Sequence, residues 1–337
     1  MRLKSALRRG VAAAVIAGIV VSSGIPAYAA RWDIANGDIT VKAGDAEGKN
    51  KVSQGETIDK DDTNTVITGE SDKNTVTIDT SEGNVDVTFD DLKIDVSGKA
   101  EGDVSGDGPV DAGKAAVTVQ GDHDATIELD GDNELKSGGY NAGLEKNEHE
   151  SKGTLTIKDD KGKDGSLTAE GGFGGAGIGG GIESTGSNIT IRGGTIEAVG
   201  GSNAAGIGDG AGAWSEIDPD APPSNPNHII ISGDAEVEAK AGASTGGETA
   251  AIGGGIVGEI PNDALSDDDH KVTGGSLTRY DPDGKKMEDY SYDRRTPSQP
   301  EQPDKPEQPD KPEQPDKPEQ PDKPLSLIHI SEPTRRV

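Results

Sequence analysis

One glycine-rich block occurs three times: Ala176-Gly-Ile-Gly-Gly-Gly181, Ala205-Gly-Ile-Gly-Asp-Gly210 and Ala250-Ala-Ile-Gly-Gly-Gly255. A degenerate copy is Asn141-Ala-Gly-Leu-Glu145. Between the copies lie short alternating segments: Ala125-Thr-Ile-Glu-Leu129, Thr154-Leu-Thr-Ile157, Asn188-Ile-Thr-Ile191 and His228-Ile-Ile-Ile231. A third element follows a Gly or Asp turn, as in Gly165-Ser-Leu-Thr-Ala-Glu170, Gly194-Thr-Ile-Glu-Ala-Val199 and Ala235-Glu-Val-Glu-Ala239. Self-similarity at this period marks a repeat architecture. Ile178 to Ile207 spans 29 residues and Ile207 to Ile252 spans 45, the longer interval holding a Pro- and Asp-rich insertion at 214–227. Period-two alternation of Val, Ile, Thr and Ala marks half-buried strands. Glycine at fixed offsets supplies sharp corners or lets backbones approach closely. No single unit can bury its own apolar face, so the units must stack. The expected columns are Leu144–Ile178–Ile207–Ile252 and Ile157–Ile191–Ile231.

Composition agrees with a thin aliphatic interior. Only 3% of residues are aromatic, 30% are hydrophobic, 28% are charged and the formal net charge is −29. Such values border on the disordered regime. A narrow core of Ile, Val, Leu and Ala reconciles them with a fold. Further alternating segments precede the blocks: 38–41, 64–67, 74–78, 84–89, 93–96 and 116–119. They read as early, less regular coils. The fold class expected from the residues is all-β, a β-solenoid. A β-sandwich is the competing architecture, since short strands and turns suit it too; the repeated block favours the solenoid.

Four regions divide the chain. Residues 1–29 read as a signal peptide: Arg2, Lys4, Arg8 and Arg9, an apolar run from Val11 to Val21, then Ala27-Tyr28-Ala29 as the cleavage site. The apolar run is shorter than the ~20 residues of a membrane span. Removing its four cations takes the net charge to −33. Residues 30–295 form the expected β-solenoid domain. Residues 296–324 carry ten of the nineteen prolines and four copies of Glu-Gln-Pro-Asp-Lys-Pro. Proline-rich repeats form an extended, disordered spacer, on the order of 90 Å long at about 3.1 Å per residue. It resembles the wall-spanning stalks of Gram-positive surface proteins. Residues 325–337 are foreign to the rest in composition and resemble a translated sequencing adapter. The expectation is a secreted bacterial cell-surface protein, attached to the wall through a region beyond Pro324.

The Ala-Gly-Ile-Gly-Gly-Gly blocks and Gly186-Ser-Asn-Ile-Thr-Ile-Arg-Gly-Gly-Thr-Ile196 resemble repeats of bacterial exported carbohydrate-binding domain proteins. The resemblance runs from about Trp32 to Leu277. It implies a right-handed parallel β-helix of the pectate-lyase type. It also implies non-catalytic binding to a plant or microbial polysaccharide, with calcium the one cofactor left open.

The residues themselves carry little catalytic signal. No cysteine is present, which excludes disulfides and thiolate metal sites. Strong acidity argues against nucleic acid as a partner. The paired acids Asp61-Asp62, Asp90-Asp91 and Asp159-Asp160 read as solvated turns rather than a glycosidase pair. Arg192, the one arginine between Arg31 and Arg279, ends a strand and reads as solvated rather than as a lyase base. The histidines are scattered and form no triad or metal pair. The chain is therefore expected not to be an enzyme, with a polysaccharide lyase or hydrolase, or an adhesive stalk binding a protein, as alternatives. Oxygen-rich turns suit calcium, and Asp122, Asp124, Asp130 and Asp132 are the candidate ligands. Tyr140 and Phe173 both follow a Gly-Gly pair ahead of the block, so they line up on neighbouring coils. They form either a sugar platform or a covered corner. Trp214, on the inserted loop, is the third candidate for glycan contact. A monomer binding polysaccharide or host-surface glycan is the expected state.

Overall fold

A computed structural model describes residues 30–99, 113–162, 164–213, 228–244, 249–255 and 271–287. The leader, Trp214, the spacer and the tail lie outside these residues. The chain is all-β, and almost all strand pairing is parallel. Among the described residues the only helices are two three-residue 3-10 turns, and no helix is long and apolar enough to cross a membrane.

Strands fall into two hydrogen-bonded sheets of thirteen and nine strands. The larger has two rows that share the strand Val85–Asp95. Its first half pairs with Ala125–Asp130 and its second half with Asp132–Lys136. Asp91, at φ 53°, makes the corner, and Gly131, at φ 63°, repeats that corner one pass later. The first row continues through Leu155–Lys158, Ile189–Ile191, Ile229–Ile231 and Lys271–Val272. The second continues through Ser166–Glu170, Thr195–Val199, Glu236–Lys240 and Ser276–Tyr280. The smaller sheet stacks Ile39–Ala43, Val76–Asp79, Val117–Gln120, Leu144–Glu145, Ile178–Gly179, Ile207–Gly208 and Ile252–Gly253. From Val117 onward each pass of the chain visits the smaller sheet, then the first row, then the second.

Both columns expected from the sequence are in register. Leu144 pairs with Ile178, Ile178 with Ile207 and Ile207 with Ile252, and all four are buried. Ile39, Val76 and Val117 extend that column by three passes. Ile157, Ile191 and Ile231 form the second column, continued backward by Ile127 and Val87. Every second residue of a strand points inward, so each pass adds two aliphatic side chains to each row of the larger sheet, such as Leu155 and Ile157 or Leu167 and Ala169. Trimming one methyl from such a stack should be felt but tolerated: Ile191→Val should cost about 1 kcal/mol, readable as a shift in the urea midpoint at unchanged slope.

The glycines of the repeated block have a steric cause. Gly179, Gly208 and Gly253 stack on one another at φ 136°, 131° and 115°. A Cβ on Gly179 would sit 2.0 Å from the Gly208 carbonyl oxygen, and one on Gly208 would sit 2.1 Å from that of Gly253. Backbone thus packs on backbone where the chain leaves the smaller sheet.

The start of the chain departs from the expected regular coils. Asn50–Gln54 and Thr57–Asp62 form an antiparallel meander on Ile39–Ala43. It takes up the ladder edge that another parallel strand would otherwise fill, and its own outer strand is mostly charged, which discourages edge pairing. Trp32 is buried and donates its indole N–H to Asp62 at 2.8 Å. Lys60 Nζ lies 5.4 Å from the ring centre. Asp62 and Asp159 therefore correct the solvated-turn reading of the paired acids: both are buried acceptors, Asp159 receiving the Gly165 N–H at 3.0 Å. Asp90 and Asp91 lie inside the Val85–Asp95 strand rather than in a separate turn, because the corner at Asp91 bends the strand without ending its pairing.

Candidate functional site

Tyr140 and Phe173 meet, although they stand four and five residues ahead of the paired Leu144 and Ile178. The Tyr140 N–H donates to the Phe173 carbonyl at 2.8 Å, which fixes the two corners one above the other. Ring centres are 6.1 Å apart and the planes cross at 72°. An edge-to-face pair is favoured by the ring quadrupoles. It also means the two rings do not make one flat platform: they present two faces at nearly right angles. Tyr140 holds φ at 73°, an uncommon value for a residue with a Cβ. Tyr140 is half-buried, and Phe173 is 49% exposed. Phe173 and Ile58 are the exposed large hydrophobic residues among those described. One pass later Ser202 occupies the corner, so the aromatic patch is two passes wide.

The four candidate calcium ligands separate into two pairs. Asp122 and Asp124 precede the strand Ala125–Asp130, while Asp130 and Asp132 stand at its far end. About 20 Å of strand lies between them. Asp124 Oδ1 accepts the Thr154 N–H at 2.8 Å, and Asp132 Oδ1 accepts the Ser166 hydroxyl at 2.9 Å. These contacts tie one pass to the next. Burial raises the Asp130 carboxyl above its ordinary value, and the charges of Asp90, Asp164 and Asp91 push the same way. Arg31 opposes this and pairs with Asp90 at 2.6 Å. Among the described residues no group of three or more His, Asp or Glu is arranged to hold a metal ion. The four aspartates are thus no single site.

Two features escape the sequence reading. The first is a groove of about 410 Å³ on the outer surface of the first row, with Thr126, Thr156, Glu128, Lys158, Lys161 and Arg192 in its lining. Superposing Ala-Thr-Ile-Glu128, Leu-Thr-Ile-Lys158 and Ile-Thr-Ile-Arg192 would have shown the threonines in one file and the charges in the next. The second is a buried ionisable pair, Glu145 and Lys146, in the degenerate copy of the block. Glu145 stands in register with Gly179, and Lys146 occupies the place of Gly180 and Asp209. Glu145 Oε2 accepts the Ala142 N–H at 3.1 Å. Lys146 is wholly buried and donates to the carbonyls of Ser151 and Ser187 at 3.0 and 2.9 Å.

Comparison with family models, with curated proteins and with solved structures returned no match.

Proposed function

We propose that the chain is a secreted, non-catalytic glycan-contact protein of the bacterial surface, built as a right-handed parallel β-helix and held out on its proline-rich spacer. In-register stacking of three strands per pass supports the architecture. The observation that carries the function is the exposed Phe173 ring with Tyr140 against it. Apolar side chains elsewhere in the described fold are almost all sequestered, so a half-exposed aromatic corner stands out as a contact surface. A sugar ring lays its C–H face on Phe173, while the crossed Tyr140 ring flanks it and offers a hydroxyl.

The test is titration with soluble neutral glucans and with pectin-derived oligomers. Phe173→Ala is expected to weaken binding about tenfold, since one aromatic contact is worth about 1 kcal/mol beyond its buried area. The melting temperature should stay within a degree or two, because the ring is not part of the interior. Equal binding by parent and variant would remove the aromatic corner from the function. Absence of binding by the parent would favour a stalk that recognises protein.

A further inference from the structure

We propose that the groove on the first row is a second, separate binding site, and that it takes an extended glycan bearing repeated monoanions, carboxylate or sulfate. It does not rest on the aromatic corner, which lies beyond the second row, between that row and the smaller sheet. The groove crosses four strands of the row, from Thr65–Ser71 to Leu155–Lys158, and reaches Arg192 just past the fifth, Ile189–Ile191. At about 4.8 Å per strand that is about 19 Å, the footprint of a chain rather than of one small molecule.

Its floor carries the Thr126 and Thr156 side chains, paired in register on adjacent strands. Neither hydroxyl makes a hydrogen bond to a described residue, so both face the groove as open donors and acceptors. Glu128 sets the cations in place. Its side chain is only 5% exposed and its Oε1 accepts the N–H groups of Asp160 and Lys161 at 2.8 and 2.7 Å. That clamp fixes the turn from which Lys161 reaches over the groove. Lys158 is neutralised between Glu128, at 3.2 Å, and Asp160, at 2.8 Å. Among the described residues the Lys161 ammonium touches only the Thr88 hydroxyl, at 3.4 Å, and the exposed Arg192 guanidinium has no ion pair. Two cations without carboxylate partners among the described residues therefore overlook one row of open hydroxyls, and the exposed Asp86 at the far end of the lining confines an anionic ligand to their side. Arginine forks match carboxylate and sulfate oxygens two at a time. The location matters because the whole chain carries −29. Its overall field repels polyanions, so their attachment requires a local cationic site rather than diffuse attraction.

The full chain is titrated with hyaluronan, dextran sulfate and uncharged dextran in low and high salt. Binding to at least one of the two anionic polymers is expected, weakened by salt, with none to dextran through this groove. The double substitution Lys161→Gln with Arg192→Gln should reduce that binding about tenfold or more. Lys285→Gln, which removes one equal charge from an exposed turn elsewhere, should leave it unchanged, as should Phe173→Ala. Both groove cations are exposed, so circular dichroism and melting should match the parent. No binding of either anionic polymer, or parental affinity in the double variant, overturns the proposal. Loss of anionic binding in Phe173→Ala overturns the independence of the two sites.

Discussion

Replacing Gly208 by alanine is expected to destabilise the fold by about 4 kcal/mol or more, among the largest effects of any single substitution in the chain. Two causes act together. The residue holds φ at 131°, a region that L side chains rarely adopt. Its new Cβ would also stand 2.1 Å from the Gly253 carbonyl oxygen. That neighbour is backbone held in register on both sides, so it cannot swing away as a flexible side chain would. Relief requires separating two passes, which opens the Ile207–Ile252 contact beneath. Gly48→Ala is the control. Gly48 has φ of 72°, yet nothing lies within 4 Å of its would-be Cβ. Left-handed strain alone should cost about 1–2 kcal/mol there. Urea unfolding of the two variants separates strain from collision. Equal midpoints would mean that the passes yield more readily than close packing allows.

The same steric logic explains which parts of the fold were legible in the sequence. Ile178, Ile207 and Ile252 could be aligned because each is followed by a glycine, at 179 and 208 one whose Cβ would collide with the next pass, and the block therefore repeats visibly. Tyr140 and Phe173 could be assigned to neighbouring corners by the Gly-Gly pair that each follows, although they stand four and five residues before Leu144 and Ile178. Their crossing angle could not, because it depends on side-chain torsions that the spacing leaves open. The Val85–Asp95 strand was hidden by Asp90-Asp91, two turn-forming residues that here bend a strand without ending it. The Thr57–Asp62 strand was hidden by its composition: Thr-Ile-Asp-Lys-Asp-Asp has no apolar alternation, since most of that edge strand faces solvent. Asp122, Asp124, Asp130 and Asp132 looked like ligands because acids at turns serve two purposes. Asp124 and Asp132 accept hydrogen bonds from the next pass. The groove cations were visible singly but not jointly, because Lys161 comes from the turn after Leu155–Lys158 and Arg192 from the end of the next strand. Lys146 was the least legible residue of all, since a lysine ordinarily implies surface.

That lysine and its neighbour should give the pH dependence of stability two opposed limbs. Burial pushes the Glu145 carboxyl from 4.5 up to about 7, with a smaller push from the charge of Glu150 against the Ala142 N–H. Between those values the folded chain keeps a proton that the unfolded chain has released. Unfolding free energy therefore falls as pH rises from 4.5 to 7. Burial pulls the Lys146 ammonium from 10.5 down to about 8, against the charges of Glu148 and Asp124. A neutral amine still has an N–H for each of the two carbonyls that Lys146 meets, so deprotonation leaves both acceptors satisfied. Here the folded chain releases its proton first, and unfolding free energy rises from about pH 8 towards 10.5. Each limb amounts to about 3 kcal/mol at most. Urea unfolding across this range reads both. Glu145→Gln should flatten the acid limb relative to the parent and leave the alkaline limb alone. The raised Asp130 carboxyl slopes the same way in both proteins and cancels in that difference. Lys146→Met should flatten only the alkaline limb. It should also lower stability at every pH, since the Ser151 and Ser187 carbonyls lose their donor at about 1–3 kcal/mol. Because the assignment is read from slopes rather than from heights, that uniform loss cannot mimic it. A Lys146→Met profile that still climbs between pH 8 and 10.5 as the parent's does would place the titrating group elsewhere.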